Sequence, residues 1–509
     1  MGDFLAIARI TAAPDHDRWL VPPCALAIHL CIGMAYGFSV FWLPLSHALA
    51  APACTSLAQA LTSTACDWRV SDLVWVYSLF FVVLGVSAAL FGAWVERVGP
   101  RRAGLVAAAC WAGGMAIGAL GVSLHLLWLF WLGTGIIGGV GLGIGYITPV
   151  STLLKWFPDR RGLATGMAIM GFGGGAMVGS PAADRLMAML GSPALTMLIM
   201  AGVYALAMAA GAWGFRLPAP GWHPPGKAQV VAGGRHVPVD VASRTPQFWL
   251  VWCVLLMNVS ASIGIIGLAS PMVQEIFAGQ LIGQANIPFE QLDDAQKTAI
   301  ASIGAAFVGL ISLFNIAGRF FWSSLSDRIG RKPLYLLMLA LAGLLYGALL
   351  PGGPALALFL AAFALIASMY GGGFAAVPAW LADLFGSRQV GAIHGRLLTA
   401  WSTAGVLGPL LVASVRDDRL AAGAPRAGIY GPIFLMLAGL LLIGWLAALA
   451  VRPLPAHLWQ DDPAAAASAA GPASTARVRW PLRLAAWAPV LLPLAWGGWF
   501  TLQKALLLL

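Results

Sequence analysis

Long apolar segments follow one another along this chain, and short polar stretches separate them. A helix needs about 20 apolar residues to cross the hydrocarbon core of a bilayer. Segments of that length fall near 20–48, 71–95, 103–123, 126–154, 163–185, 193–215, 247–275, 298–323, 334–352, 355–381, 396–416 and 430–451. The pattern predicts an all-α polytopic membrane protein with twelve transmembrane helices, and the apolar stretch 484–509 predicts an extra C-terminal one.

Basic residues are distributed unevenly between the two sets of loops. With the N-terminus inside, the inside segments hold 21 Lys and Arg residues and the outside loops hold 6. Cytoplasmic loops of membrane proteins carry such an excess. We therefore expect a bacterial inner-membrane protein with a cytoplasmic N-terminus, and we attribute the net charge of +10 to this bias rather than to nucleic-acid binding.

The composition fits a chain whose surroundings are lipid. Hydrophobic residues make up 60% of the 509 positions, charged residues make up 9%, and the mean hydropathy is +0.85. Soluble domains carry about 25% charged residues. The eight histidines are scattered, without the spacing of a metal or catalytic cluster. The chain is thus predicted to be no enzyme, with no cofactor and no metal, and its expected partners are a small substrate and the lipid bilayer.

Loop lengths divide the chain into two halves of six spans. We expect a cytoplasmic N-terminus, a first bundle, a linker, a second bundle, a Pro/Ala-rich tail and an extra helix at 1–19, 20–216, 217–246, 247–451, 452–480 and 481–509. The halves also repeat, because the turn at 96–101 matches the turn at 327–331 at an offset of 231. Parallel repeats of six helices place a substrate site near the midplane, at the interface of the repeats.

The repeated turn resembles the signature of the major facilitator superfamily. The first copy contains Gly92, Glu96, Arg97, Gly99 and Arg101, and the second contains Asp327, Arg328, Gly330 and Arg331. Its glycines allow a tight turn, and its acidic and basic residues can lock helix ends in one conformational state. The resemblance implies a transporter with two six-helix bundles that alternate around a central site. An ordinary basic inside loop is the alternative interpretation.

A second stretch resembles the oxalate/formate antiporter family within that superfamily. It runs from Gly145 to Gly166 through Lys155-Trp-Phe-Pro-Asp-Arg-Arg-Gly162. The tenth span adds Tyr370-Gly-Gly-Gly-Phe374 and Pro378-Ala-Trp-Leu-Ala-Asp383. The resemblance implies transport of a small carboxylate and reaches monocarboxylate transporters. Close packing is the alternative role for most of the glycines.

Arg319 lies inside the eighth span, at a depth where arginine costs roughly 2.5–3.5 kcal/mol on insertion scales. A chain keeps such a residue when it faces a cavity or a partner, so we interpret Arg319 as an anion site. The family resemblance implies that this arginine contacts a substrate carboxylate. Asn315 lies one turn earlier on the same face. The alternative is a structural arginine satisfied by backbone carbonyls.

The eleventh span departs from the oxalate/formate exchanger type, which carries a lysine where Trp401 stands here. One fixed positive charge balances a monoanion, whereas a dianion would leave a buried charge unpaired. We therefore expect a monocarboxylate such as formate, lactate or pyruvate. Oxalate:formate exchange and export of drugs or metabolites are the alternatives. Tyr36, Tyr146 and Tyr370 are expected to line the site together with Trp401.

The coupling of transport stays open at this stage. His29 in the first span could carry a proton near neutral pH, although a lone helical histidine is more often structural. Some monocarboxylate transporters carry an acid at the position of Asn315, so proton coupling through such a pair is not expected. A coupling ion or a counter-anion remains a candidate partner. Cys54 and Cys66 share one polar loop, which would allow a disulfide if that loop is periplasmic.

Overall fold

The computed structural model describes residues 6–219, 222–224, 235–266, 268–284, 287–350, 355–461 and 480–505. Residues 220–221 and 225–234 of the predicted linker, and residues 462–479, which make up most of the predicted tail, lie outside the described residues. The helices are α1 (Ile7–Ile10), α2 (Val21–Ile32), α3 (Trp42–Ser46), α4 (Leu57–Thr62), α5 (Val70–Val98), α6 (Pro100–Ser123), α7 (Leu127–Phe130), α8 (Gly138–Trp156), α9 (Arg161–Leu190), α10 (Pro193–Gly214), α11 (Val239–Ala242), α12 (Pro246–Ile266), α13 (Ala269–Phe277), α14 (Asp294–Ile329), α15 (Arg331–Ala348), α16 (Leu356–Phe385), α17 (Val390–Leu397), α18 (Thr399–Ala421), α19 (Tyr430–Ala450) and α20 (Trp480–Ala505).

Shorter elements interrupt or join these helices. Turns of 3₁₀ helix span Arg18–Leu20, Gly33–Phe41, Ala278–Ile282, Phe289–Gln291, Arg426–Ile429 and Ala456–Leu458, and a π-helical segment spans Trp131–Ile137. Two short strands, β1 (Arg235–His236) and β2 (Gln460–Asp461), pair antiparallel. The first predicted span is therefore not one regular helix, since the segment Gly33–Phe41 winds more tightly than the α-helices on either side.

Local sequence signals explain where several helices begin and end. Asp293 accepts a hydrogen bond from the N–H of Gln296, whose side chain accepts one from the N–H of Asp293, so a capping box begins α14. Ser192 caps α10 by accepting a hydrogen bond from the N–H of Leu195. Gly330 ends α14 at φ +89°, a backbone conformation that side chains disfavour.

Twelve helical segments within the described ranges are long and apolar enough to cross a membrane. Eleven of them match predicted spans of the body, and the twelfth, Trp480–Gln503, matches the predicted C-terminal helix. The remaining predicted span, 334–352, corresponds to α15, which has 18 residues. Arg331 and Lys332 in its first turn lower its mean hydropathy. Lys332 donates to the carbonyls of Leu449 and Val451, at the end of α19.

The described chain forms two compact units. Unit 1 contains residues 1–245, 378–402 and 453–495, and unit 2 contains 246–377, 403–452 and 496–509. The segment 378–402, which the loop lengths place in the second bundle, packs in unit 1. The domain boundaries drawn from the sequence stay a prediction.

In unit 1, hydrogen bonds and ion pairs join segments that are distant in the sequence. Arg396 of α17 donates to the carboxylate of Asp240 on α11 at 2.5 Å. Arg483 of α20 forms an ion pair with Asp17. The indole of Trp487 donates to the carbonyl of Trp19 at 2.9 Å. The beginning of the C-terminal helix is therefore held at the beginning of the first span.

Two features hold the loops in place. In unit 1, Cys54 and Cys66 are joined by a disulfide, which their shared loop allows. In unit 2, Glu275 is only 3% exposed, and its carboxylate accepts hydrogen bonds from Arg416, Arg426 and Tyr430. A buried carboxylate needs such partners, because an uncompensated charge in the interior is strongly unfavourable.

Candidate functional site

Arg319 lies on α14 with only 1% of its surface exposed, and it is among the largest fully buried side chains. Its Nε donates to Oδ1 of Asn315 at 3.1 Å. Its guanidinium carbon lies 5.6 Å from the centre of the Phe374 ring on α16. The charge is therefore placed in the interior of unit 2, on an aromatic face that attracts cations.

Asn315 fixes the direction of the arginine. While its carbonyl oxygen accepts from Arg319, its amide nitrogen donates to the backbone carbonyl of Ala367 on α16 at 3.1 Å. The Asn315 amide thus links Arg319 on its own helix, α14, to the backbone of α16. The sequence predicts Asn315 as a substrate ligand, and this stays a prediction. In the structure, both ends of its amide form hydrogen bonds with protein atoms.

Glycines allow α14 and α16 to approach at the level of Arg319. A Cβ atom on Gly371 would lie 2.2 Å from the carbonyl oxygen of Asn315 and 3.1 Å from Cγ of Arg319. A Cβ atom on Gly318 would lie 2.0 Å from the carbonyl oxygen of Ser368. Tyr370, 4% exposed, precedes Gly371 on α16. These glycines bring the backbone of α16 close enough to accept the Asn315 amide.

Three of the predicted aromatic site residues lie in unit 1. The indole of Trp401 lies 5.5 Å from the Tyr146 ring, 5.5 Å from Phe172, 5.1 Å from Phe81 and 6.3 Å from Tyr36, measured between ring centres. Trp401 and Tyr146 are fully buried, and Tyr36 is half-buried. We call these five residues the aromatic cluster.

Two buried histidines flank the aromatic cluster. His29 on α2 stacks on Tyr146 with ring centres 5.2 Å apart, and His394 on α17 lies 5.8 Å from the same ring. His29 is 0% exposed and His394 is 1% exposed. The two ring nitrogens of His29 lie 2.5 Å from the carbonyl oxygen of Ala168 and 3.1 Å from that of Tyr146.

The first copy of the repeated turn connects several segments of unit 1. Glu96 on α5 accepts from Nζ of Lys155 at 2.5 Å and from the backbone N–H of Gly391 at 3.2 Å. That N–H lies in the first turn of α17, where unsatisfied donors favour a negative charge. A Cβ atom on Gly92 would lie 2.8 Å from the Cα of Ala392, so this glycine lets α17 lie against α5.

The two copies of the turn use their charges differently. Arg101 is buried and packs its guanidinium on the Trp213 ring, whereas Arg97 is exposed. In the second copy, Arg331 donates to Asp327 within the same turn at 2.6 Å, and Arg328 is exposed. Gly99 and Gly330 both adopt positive φ, at +82° and +89°. The backbone of the turn thus repeats. Glu96 contacts Lys155 and Gly391 on other helices, and Asp327 accepts a hydrogen bond from Arg331.

Sequence reasoning missed four residues of these sites: Phe81, Phe172, Phe374 and His394. Phe374 carried a signal, because it ends the run Tyr370-Gly-Gly-Gly-Phe374 that the sequence singled out. Phe172 also stands in a glycine run, Gly171 to Gly175. Phe81 and His394 carried no such signal. Within the described ranges, no group of three or more His, Cys, Asp and Glu residues could hold a metal ion.

The close approach at Gly371 can be tested by adding one methyl group. We expect Gly371→Ala to lower the stability of the protein by about 1–3 kcal/mol, because the new Cβ overlaps the Asn315 carbonyl and the helices must move apart. The matched control is Gly347→Ala on α15, where nothing lies within 4 Å. Alanine there should be neutral or stabilise by about 0.5–1 kcal/mol, because glycine is the poorer helix former.

The measurement is the midpoint of detergent-induced unfolding for the two variants and the wild-type protein. Equal midpoints for Gly371→Ala and Gly347→Ala would contradict the tight contact between α14 and α16.

Known proteins resemble this chain over most of its length. The "Uncharacterized MFS-type transporter YhjX" of Escherichia coli is 25% identical over 387 residues, which cover 75% of this chain and 84% of that protein. The "Apicoplast pyruvate carrier 1" of Toxoplasma gondii is 27% identical, with 64% of this chain and 66% of that protein covered. The "Oxalate:formate antiporter" of Oxalobacter formigenes is 27% identical, with 64% and 72% covered.

A solved structure shows the same fold. The E. coli fucose:proton symporter FucP superposes with a TM-score of 0.60 at 12% sequence identity, over 86% of this chain and 100% of that one. This structure confirms the predicted fold class, and the relatives named above confirm the family resemblance. The family model described as "Major Facilitator Superfamily" matches residues 25–289, just over half of the chain. This chain belongs to the Major Facilitator Superfamily.

Proposed function

We propose that this protein is a secondary active transporter that moves a small monocarboxylate, such as formate, lactate or pyruvate, across a membrane by alternating access. Arg319 binds the carboxylate group of the substrate. The observation that carries the proposal is the burial of this guanidinium, 1% exposed, on a helix long and apolar enough to cross a membrane.

The surroundings of Arg319 support a ligand role. Asn315 contributes a neutral hydrogen bond at Nε, and Phe374 contributes an aromatic face. Each of these is a weaker partner for a buried charge than a carboxylate, which forms two parallel hydrogen bonds with the guanidinium fork. A bound carboxylate would add two charge-assisted hydrogen bonds in the geometry that suits a guanidinium best.

The charge count favours a monoanion over oxalate. Trp401 occupies the position at which the oxalate/formate exchanger type carries a second cation, and this indole is fully buried in the aromatic cluster. With Arg319 as the deep cation, a bound dianion would keep one uncompensated charge. The names of the relatives include both a pyruvate carrier and an oxalate:formate antiporter, and the charge count favours the former kind of substrate. A drug exporter would not need Arg319.

The repeated turns supply the conformational control. Contacts of Glu96 with Lys155 and with the first turn of α17 form an ionic lock in unit 1. Alternating access requires that this lock breaks and re-forms in each cycle. The turn around Glu96 and its copy in unit 2 are shaped by the remaining signature residues: Gly92, Arg97, Gly99 and Arg101 in the first, and Asp327, Arg328, Gly330 and Arg331 in the second.

We further propose that the protein resides in a bacterial inner membrane with its N-terminus in the cytoplasm. The support is the excess of basic residues, 21 to 6, on one set of loops. The disulfide between Cys54 and Cys66 lies on the opposite set, as an oxidising periplasm would allow.

Removing the guanidinium tests the carboxylate site. We expect Arg319→Ala to weaken carboxylate binding by about 30-fold or more, since truncating one partner of a buried charge pair costs about 2–5 kcal/mol. The measurement is the thermal stabilisation of the purified protein by formate, lactate, pyruvate and oxalate, because a ligand of the folded state raises the melting temperature. Arg452→Ala, at an exposed position, is the matched control.

Unchanged stabilisation in Arg319→Ala would reject this residue as the ligand. Stabilisation of the wild-type protein by oxalate alone would contradict the argument that one buried positive charge favours a monoanion over a dianion.

A second cation tests the selectivity. We expect Trp401→Lys to raise the preference for oxalate over formate at least tenfold, or about 1.4 kcal/mol, because the variant carries the lysine that the oxalate/formate exchanger type has at this position. The ammonium would lie among aromatic rings that stabilise cations. Trp401→Phe is the control, since it shortens the side chain without adding charge and should keep the monoanion preference. Competition between oxalate and labelled formate gives the ratio, and equal ratios in both variants would refute the argument.

Breaking the ionic lock tests the conformational control. We expect Glu96→Gln to speed hydrogen–deuterium exchange in α17 about fivefold, which corresponds to about 1 kcal/mol, because a neutral amide is a weaker acceptor than a carboxylate for the N–H of Gly391 in the first turn of α17. The matched control is Asp461→Asn, which removes the exposed ion pair with Arg235 and should leave α17 unchanged. If both variants exchange like the wild-type protein, Glu96 does not hold α17.

A further inference from the structure

Two arginines of unit 1 meet at the end of α10. Arg216 follows the last residue of that helix by two positions, and its Nη1 donates to the carbonyls of Trp213 and Phe215, both at 3.0 Å. Arg101, in the first turn of α6, donates from Nη2 to the same Phe215 carbonyl at 3.5 Å. The two guanidinium groups therefore converge on one carbonyl oxygen.

The protein supplies little negative charge to this pair. A carbonyl oxygen carries only a partial charge, so three hydrogen bonds to carbonyls do not neutralise two cations. Within the described ranges, no carboxylate forms an ion pair with Arg101 or Arg216. Neighbouring acids pair with other basic residues: Asp17 with Arg483, Asp159 with Arg18, and Glu96 with Lys155.

The two arginines differ in exposure. Arg101 is 3% exposed, and its Nε is buried without a hydrogen-bond partner among the described residues. Buried polar atoms in native proteins generally have partners, so this unused donor indicates a missing one. Arg216 is partly exposed. An anion that approaches this end of unit 1 would contact Arg216, with the charge of Arg101 behind it.

An apolar surface adjoins the two arginines. One face of α10 exposes Leu195, Ile199, Val203, Leu206 and Trp213. Because α10 is long and apolar enough to cross a membrane, this face is suited to contact acyl chains. Its last residue is a tryptophan, the residue type that favours the interface between acyl chains and headgroups. The same indole ring lies 5.1 Å from the guanidinium carbon of Arg101. The apolar face thus ends where the positive charges begin.

We propose that Arg216 and Arg101 bind the phosphate group of an anionic phospholipid whose acyl chains lie along the exposed face of α10. The planar fork of a guanidinium suits phosphate oxygens, and basic pockets at the ends of membrane helices bind lipid headgroups. A free phosphate ion shares the headgroup chemistry, but it would not use the adjoining apolar face. This site is independent of the transported substrate, so it stands or falls separately from the proposed function.

Unit 2 offers a matched control position. Arg452 also lies two residues past the end of a helix, α19, and it is exposed. The carbonyls at that helix end, those of Leu449 and Val451, accept hydrogen bonds from Lys332. Arg452 shares neither of these carbonyls, so the charges there do not converge on one oxygen as Arg101 and Arg216 do. Arg452→Gln therefore removes an arginine from a similar position without touching the proposed site.

The experiment measures lipid binding to the purified protein in a neutral detergent. Dioleoylphosphatidylglycerol is titrated in, and native mass spectrometry gives the affinity for the first bound molecule. We expect Arg216→Gln to weaken that binding about fivefold, because one arginine close to an anionic lipid contributes a factor of this order. Arg452→Gln should bind like the wild-type protein. Arg216→Lys keeps the charge and should lose less affinity than Arg216→Gln.

Two further ligands separate a lipid from other anions. Dioleoylphosphatidylcholine has the same acyl chains and no net charge, so we expect it to bind the wild-type protein more weakly. Inorganic phosphate at the concentration of the anionic lipid should not displace that lipid, because it makes no contact with the apolar face.

Four outcomes would overturn the proposal. Equal affinity of the wild-type protein and Arg216→Gln would reject Arg216 as a ligand. Equal losses in Arg216→Gln and Arg216→Lys would assign the residue to the structure of the helix end rather than to binding by charge. Equal binding of the two lipids would show that the anionic charge is not recognised. Displacement by inorganic phosphate would assign the site to a free ion.

Discussion

Burying a guanidinium on an apolar helix costs free energy, and the residues around Arg319 in unit 2 reflect that cost. Arg319 cannot be kept at that depth unless its surroundings are polar on one side and close-packed on the other. Asn315 provides the polar side by bridging α14 and α16 with its amide. Gly318 and Gly371 provide the close packing, since any side chain there would push the two helices apart. Gly371, in the glycine run of the tenth span, therefore lets α16 lie against the part of α14 that carries the buried charge.

Unit 1 buries histidines, and it supplies hydrogen-bond partners for His29 from neighbouring helices. It packs the aromatic cluster and two histidines into its interior, where buried polar atoms generally need partners. Backbone carbonyls of α8 and α9 serve His29, because a carbonyl oxygen with two lone pairs can accept a second hydrogen bond beside its helical one.

The two copies of the repeated turn illustrate how a duplicated sequence diverges in use. Both copies end a helix at a glycine with positive φ, which is a local property of the backbone. Glu96 then contacts Lys155 and Gly391, whereas Asp327 pairs with Arg331 in its own turn. The first copy therefore acts on segments far from it in the chain, and the lock that we propose for the superfamily signature belongs to that copy.

Sequence alone determined the helical membrane fold and most of its spans, because apolar length and loop charge are local properties that a bilayer selects directly. The repeated turn and the stretch from Gly145 to Gly166 indicated the family. Sequence also singled out Arg319, since a charge at that depth is costly wherever its partners are. It did not reveal that Lys332, at the start of α15, finds its partners in the carbonyls that end α19. Tertiary structure alone decided the direction of the Asn315 amide, the partners of Glu96 and the pair of carbonyls around His29. Each of these depends on backbone or side-chain atoms from helices that are distant in the sequence, and a pattern of side chains along one chain contains no record of which carbonyl will face which ring.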